Sequence, residues 1–265
     1  KAGELGIDET WPSRFLIGLM QLRPDVKPVM GSLPVEQSTM YKDEEERQRM
    51  REASLINDEC MDMVIHAIRE GVTEKELALK VENFFKARGC NSLGFSIVGM
   101  GKNGADPHHD ADETVLKEGD SIVIDIGAPF NHYWCDMTRT VFYKSVSEKQ
   151  REVYETVRHA NEAAIAKIKP GVAFKEFDLA ARKVIEDYGE YFTHRTGHSI
   201  GMKEHEKPPV ASDCEVIARP GMVFSIEPGI YLPGQFGVRV EDLVLVTEDG
   251  CEVLNKYTKD LIAVE

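Results

Sequence analysis

Gly71-Val72-Thr73-Glu74-Lys75-Glu76-Leu77-Ala78-Leu79 returns later in the chain as Gly171-Val172-Ala173-Phe174-Lys175-Glu176-Phe177-Asp178-Leu179, an offset of 100 residues (71 to 171). Gly-Val opens both segments, Lys-Glu follows at the same spacing, Leu closes both, and Gly89 against Gly189 extends the match. Six identities stand where roughly one is expected by chance, so the chain reads as an internal duplication with a period too long for a solenoid. Working outward, each copy sits in the same order of elements. A long helix from Lys42, with Ala53, Ile56, Cys60, Met63, Val64 and Ala67 at helical spacing, leads to a helix at 74–88 whose Thr73 and Glu76 have capping-box spacing. Strand-like runs follow at 95–99, 121–126 and 133–143. The second copy repeats this with a Ser147/Gln150 box, a buried face of Val153, Val157, Ala160, Ala164 and Ile168, and a helix at 174–188. Its strand-like runs lie at 214–217, 222–227 and 238–247.

The duplication also pairs acid with acid. Gly119…Asp125-Ile126-Gly127 matches Gly221…Glu227-Pro228-Gly229 at offset 102 (119 to 221), and Asp136 falls opposite Glu241 at offset 105 (136 to 241). Each of these carboxylates stands in an apolar run suited to a core strand, such as Ser121-Ile122-Val123-Ile124-Asp125-Ile126 or Met222-Val223-Phe224-Ser225-Ile226-Glu227. A buried carboxylate must be paired, hydrogen-bonded or metal-bound. Any one alone would read as a strand-end residue or the partner of a nearby Arg. Asp125, Asp136, Glu227 and Glu241 converging together would repel and protonate unless a cation sat among them. His198, flanked by glycines, adds an imidazole. Four carboxylates and one imidazole suit Mn²⁺, Co²⁺, Fe²⁺ or Zn²⁺, and without thiolates the site is a poor one for Cu(I) or an iron–sulfur cluster. If two carboxylates bridge, five ligands hold two cations and a shared hydroxide forms near neutral pH. Arg239 and Glu241 share a strand face by period two, so the guanidinium is expected to orient that carboxylate. Strand alternation turns Cys135 away from Asp136 into the core, and His66 and His159 sit on helices as structural residues.

Composition sets the outer bounds. The 265 residues carry a net charge of −14, with 42% hydrophobic and 29% charged residues, as in a soluble globular protein. The acidic balance argues against nucleic acid or an anionic membrane as partner. Five cysteines without a CxxC pair suit a reducing, cytoplasmic compartment. No apolar stretch approaches the roughly 18 residues of a membrane span, and no signal peptide is visible. The chain opens at Lys1 without Met and reads as a fragment. In residues 1–42, Asp8-Glu9-Thr10-Trp11-Pro12 opens a short helix, and Pro24, Pro28, Gly31 and Pro34 then read as a linker.

The contexts IDIG (124–127), CDMTRT (135–140), HRTGHSIG (194–201), SIEPGIY (225–231) and VRVEDLVLV (238–246) resemble the dinuclear metallopeptidases of pita-bread fold, a family that includes methionine aminopeptidase, aminopeptidase P and Xaa-Pro dipeptidase. The resemblance covers residues 43–265 and is strongest to the prolidase and aminopeptidase P branch. It implies an α+β, internally duplicated fold with a curved, mainly antiparallel sheet covered by helices. Residues 1–42 would be the tail of a mostly missing N-terminal domain plus linker. It also implies two divalent metal ions, Mn²⁺ or Co²⁺ first and Zn²⁺ or Fe²⁺ as alternatives. Asp125 would chelate one metal, His198 and Glu227 the other, with Asp136 and Glu241 bridging. Glu227 would move the proton from water to the leaving nitrogen, while His108 and His205 would serve catalysis and His194 and Arg239 would bind substrate. The implied reaction is hydrolysis of the Xaa-Pro bond of dipeptides or peptide N-termini, by a homodimer in the full-length form. A methionine aminopeptidase-like enzyme and a non-catalytic pita-bread binding module are the alternatives. A metal-free creatinase-like hydrolase is disfavoured by the intact ligand set. His109, directly after His108, leaves two registers open for the substrate-side histidine.

Overall fold

The computed structural model describes residues 3–90 and 94–265, and in it the two copies of the repeat make the same backbone contacts. Thr73 bridges Val115 and Ala173 bridges Ile217. The Leu116 N–H donates to the Val72 carbonyl and the Ala218 N–H to the Val172 carbonyl, at 3.0 and 2.9 Å. Lys75 N–H reaches Asp112 O just as Lys175 N–H reaches Cys214 O. The side chains follow suit, with Lys75–Glu113 at 2.9 Å and Lys175–Glu215 at 2.7 Å. Gly71 and Gly171 turn into these contacts at φ 77° and 89°, a left-handed conformation that glycine adopts without a Cβ clash. The equivalence stops before its expected end. Gly89 closes its helix at φ 81°, whereas Gly189 lies inside a 3-10 turn, Glu186–Tyr191, because the second helix ends at Val184 rather than 188.

The residues up to Tyr41 form one compact unit and Lys42–Glu265 another. The first holds β1 (Glu4–Ile7), α1 (Ser13–Leu22), β2 (Lys27–Met30) and α2 (Ser32–Thr39), with β1 and β2 paired in parallel. The expected linker therefore carries a strand and a helix. Pro28 is accommodated in a two-stranded sheet where every strand is an edge, and Pro34 sits in the first turn of α2, where its missing N–H has no helical partner to lose.

The larger unit contains α3 (Glu44–His66), α4 (Glu74–Ala87), β3 (Phe95–Met100), β4 (Ser121–Phe130), β5 (Tyr133–Tyr143), α5 (Glu148–Ile165), α6 (Phe174–Val184), β6 (Gly197–Ser199) and β7 (Glu206–Val210). It continues through β8 (Val223–Ile226), β9 (Gly229–Leu232), β10 (Phe236–Arg239), β11 (Asp242–Val246), β12 (Cys251–Val253) and β13 (Ala263–Val264). Capping boxes at Asp43/Glu46, Thr73/Glu76 and Ser147/Gln150 start α3, α4 and α5. The architecture is α+β, with β3-β4-β5 antiparallel and β13 added in parallel, a five-stranded antiparallel sheet β12-β11-β8-β6-β7, and the β9–β10 hairpin. Two expected strands differ. The run 214–217 contributes only the single bridge at Ile217, and the run 238–247 breaks at Val240-Glu241 into β10 and β11.

Apolar faces of α3 and α4 pack on β3–β5 through Cys60, Val64, Leu77, Phe85, Ile124 and Met137, while Phe177 of α6 stacks on Phe224 of β8 and Phe174 packs tilted against it. Each half adds one buried amide beside its first acidic residue. The Asn57 side chain donates to Ile126 O at 3.0 Å, and that of Asn161 to Ile226 O at 2.8 Å. Strand carbonyls next to Asp125 and Glu227 are thereby satisfied, as buried backbone requires.

Candidate active site

Register places the first two carboxylates. In the β4–β5 ladder Asp125 pairs with Thr138 and Gly127 with Asp136, so Asp125, Asp136 and Thr138 share one face, the two acids as diagonal neighbours. Glu227 follows β8 directly and donates its N–H to Thr196 O at 2.8 Å. Glu241 occupies the break between β10 and β11, and its N–H reaches Thr138 O at 3.1 Å, which ties the second half to β5 of the first. His198 lies in β6. With Asp125, Asp136, Glu227 and Glu241 it lines a cavity of about 570 Å³. Ligand-type atoms of Asp136, His198 and Glu241 lie within 4.8 Å of one another.

The imidazole has a defined orientation. His198 Nδ1 sits 3.1 Å from Ser199 O, and its Nε2 faces Asp136 at 3.4 Å and Glu227 at 3.5 Å. Burial, reinforced by the neighbouring acids, pushes Asp136 and Glu241 well above the usual carboxylate range. Burial raises Asp125 too, although Arg239 works against it. Glu227 stays below its ordinary value against the pull of burial, because His198, His194 and Arg239 face it. Asp125 Oδ1, Asp136 Oδ1 and Glu241 Oε1 are buried and accept no hydrogen bond. Orphaned acceptors of this kind are rare in a folded protein, and here all three belong to residues that line one cavity with His198. The oxygen-rich set with one nitrogen fits a hard or borderline divalent cation.

The rim is built from loops and one hairpin. His108, His194 and His205 all line the cavity. Of the adjacent pair, His108 is the one that lines the cavity, while His109 turns away to Glu74 at 2.6 Å. The His205 ring lies 4.0 Å from that of His198, and burial with the nearby His198 lowers its pKa to about 4. The next residue, Glu206, makes a buried ion pair with Lys42 at 2.9 Å that fastens the His205 loop to the start of α3. His194 Nε2 contacts the Tyr231 hydroxyl at 2.8 Å, and burial lowers the His194 pKa.

Arg239 departs from the expected geometry. Its Nη2 donates to Asp125 at 2.6 Å, its Nη1 to the Tyr231 hydroxyl at 2.7 Å and its Nε to Thr138 Oγ1 at 3.0 Å. It reaches Glu241 only through Thr138, whose hydroxyl donates to that carboxylate at 2.7 Å. The β10–β11 break removes the common strand face on which the direct contact depended. Thr138 and Tyr231 are thus the positioning groups that sequence reading passed over. Thr138 stands two residues from Asp136 and was open to the same alternation argument, whereas Tyr231 carried no signal beyond its place in the SIEPGIY segment. Phe95 and Ile97 of β3, the apolar wall of the cavity, gave no signal at all.

Residues 48–248 match the model of metallopeptidase family M24. An uncharacterized peptidase of Staphylococcus aureus strain MSSA476 is 40% identical over 230 residues, covering 86% of this chain and 66% of the relative. Among solved structures, recombinant prolidase from Thermococcus sibiricus superposes with a TM-score of 0.95 at 35% identity, over 100% of this chain and 73% of that one. The Xaa-Pro dipeptidase from Bacillus anthracis gives 0.93 at 35% identity, over 99% and 75%. The chain spans about two thirds of the length of the curated relatives it matches. Among the described residues no helix is long and apolar enough to cross a membrane.

Proposed function

The chain belongs to metallopeptidase family M24, with its pita-bread fold, and on that premise we propose that it is a dinuclear metal-dependent exopeptidase that hydrolyses the Xaa-Pro bond of dipeptides or peptide N-termini. One observation carries the reading: three carboxylates with orphaned buried oxygens, Asp125, Asp136 and Glu241, line one cavity together with His198 and Glu227. Asp125, Asp136, His198, Glu227 and Glu241 would hold the metals. When bound, divalent cations supply electrophilic activation of the scissile carbonyl and of water at neutral pH.

The protein's own residues do the rest. Glu227, held below the ordinary carboxylate value, takes a proton from the attacking water. As the new C–O bond forms and the C–N bond breaks, it returns that proton to the proline nitrogen, which leaves as an amine. His205, neutral above a pKa of about 4, and His108 offer N–H groups to the developing oxyanion. Arg239 clamps Asp125 and Tyr231, and through Tyr231 it fixes His194. A cavity of about 570 Å³ falls within the roughly 300–1,000 Å³ that small ligands occupy.

The test is turnover of Leu-Pro and of a Met-Ala-Ser peptide by chelated protein reloaded with Mn²⁺, Co²⁺ or Zn²⁺. Metal-restored cleavage of Leu-Pro is expected. Preference for the Met peptide would establish the methionine aminopeptidase alternative, and full activity in chelator would remove the metal mechanism.

A further inference from the structure

We propose that Glu74 and Asp178 are positioning residues, one in each half, that fix the two histidine-bearing segments, around His108 and from His194 to His198, over the catalytic cavity. Glu74 is fully buried in the first turn of α4, where the helix N-terminus favours an anion. Its Oε1 accepts from the Met100 N–H at 2.7 Å and Asn103 Nδ2 at 3.0 Å. Its Oε2 contacts His109 Nε2 at 2.6 Å and accepts from the Asp112 N–H at 3.1 Å. With both oxygens occupied twice over, the Glu74–His109–Asp112 group works as a knot. His108 itself is exposed, and Glu74 ties the chain down on both sides of it.

Asp178 does the same in the other half. It is fully buried on α6 and accepts from the Thr196 N–H at 3.2 Å, the Thr196 hydroxyl at 2.7 Å and Arg182 Nε at 2.7 Å. Arg182 passes the hold on, donating from Nη2 to His194 O at 2.7 Å. Thr196 in turn accepts the Glu227 N–H at 2.8 Å. One carboxylate thus brackets His194, His198 and Glu227.

The two knots are not copies of one residue. In the repeat, Glu74 aligns with Phe174 and Asp178 with Ala78. Positions 74 and 78 are one turn apart and share a helix face. Each half has therefore placed a buried anion on the same face of its second helix, one turn removed, where an inherited contact would have kept the same residue. That pattern is expected if the face must anchor a rim segment and the exact position is free.

The proposal rests on the peptidase reading of the cavity, and the experiment separates the two. In full-length Mn²⁺-loaded protein, Glu74→Gln is combined with His108→Ala, and Asp178→Asn with His194→Ala, with kcat/KM on Leu-Pro, metal content and melting temperature measured for each. Each single positioning variant is expected to lose about 10- to 100-fold in kcat/KM with metal retained, as groups supporting a site do. In the His108-deleted background Glu74→Gln is expected to lose less than about 3-fold, and Asp178→Asn, which also reaches Glu227 through Thr196, is expected to lose less in the His194-deleted background than it does alone, because residues acting through one another are non-additive. Additive losses would overturn the proposal. Hydrogen exchange gives a readout independent of turnover: amides at 101–114 should exchange at least about ten-fold faster in Glu74→Gln, and those at 192–198 in Asp178→Asn, with the other segment unchanged. Unchanged local exchange would equally overturn it. Should Glu74→Gln not fold, His109→Gln removes the loop side of the same knot and is read in the same way. Absence of Leu-Pro turnover in the wild-type chain would remove the substrate assignment and leave the exchange result to decide the positioning role.

Discussion

Replacing Arg139 by Met tests how the two halves are held together behind the site. Arg139 is 2% exposed and Asp242, its partner at 2.7 Å, is 1% exposed. The guanidinium also donates to the carbonyls of Thr138, Glu241, Tyr257 and Thr258 at 2.9, 2.5, 2.8 and 2.9 Å. It therefore joins β5, the Glu241 segment and the C-terminal stretch at one point. Removing one partner of a buried ion pair costs about 3–5 kcal/mol, since the other charge stays behind unpaired. Four carbonyls losing a donor would push the loss upward. Lys259, 2.9 Å from the other Asp242 oxygen, offsets part of it, so about 4 kcal/mol is the working figure.

At roughly 2–4 °C per kcal/mol for a chain of this size, the melting temperature should fall by about 8–16 °C. The assay is urea and thermal unfolding of chelated protein, which keeps metal binding out of the comparison. Arg139→Met/Asp242→Leu should recover part of the loss, because an apolar pair of similar volume leaves neither position with a buried unpaired charge. Burial would raise the Asp242 pKa, but Arg139 and Lys259 hold it below the ordinary value. Its contribution is thus present above about pH 4 and lost as pH falls through the depressed folded value, so the deficit of the single variant should shrink there. A loss under about 1 kcal/mol at pH 7, or a double variant as poor as the sum of the singles, would refute the reasoning.

Metal should stabilise the fold: at 100-fold excess over Kd, one bound cation adds about 2.7 kcal/mol, or roughly 5–11 °C in melting temperature. Asp125, Asp136 and Glu241 are raised in the metal-free fold, so the chelated protein loses stability as pH rises above about 4 and the gain from metal widens toward neutrality. A gap independent of pH between chelated and loaded melts would contradict that account. Glu227→Gln should lower kcat by about 10²–10⁴-fold at saturating metal, and kcat within ten-fold of wild type would sink its proton-transfer role. Gly197→Ala would set a Cβ 2.0 Å from Ser225 O, forcing β6 away from β8 at a cost of about 3 kcal/mol or more, and an unchanged urea midpoint would show that this contact is not limiting.

Much of the site was legible because its residues break a local rule. Asp125, Asp136, Glu227 and Glu241 are carboxylates inside runs that otherwise read as core, and the repeat paired them. The capping boxes at Thr73 and Ser147 were equally local and fell where spacing put them. Errors came where a neighbour in space decided the outcome. The 238–247 run reads as one strand, but Glu241 near its centre is drawn to Thr138 on β5 and interrupts it. Pro28 and Pro34 argued for a linker, but an edge strand and a helical first turn tolerate both.

What the sequence determined by itself was the pattern of the candidate site: which carboxylates interrupt the core runs, that they come in duplicated pairs, and that together they would call for a cation. Periodicity and composition report whether a residue is buried, and burial of charge is a strong enough constraint to name a site. What only the tertiary structure decided was who holds whom. Arg239 clamps Asp125 from 114 residues away, His109 turns to Glu74 and leaves His108 to the cavity, and Asp178 reaches Thr196. Such contacts are set by the register of non-adjacent strands and by loop closure, and hydrogen-bond geometry of a few tenths of an ångström has no counterpart in residue spacing.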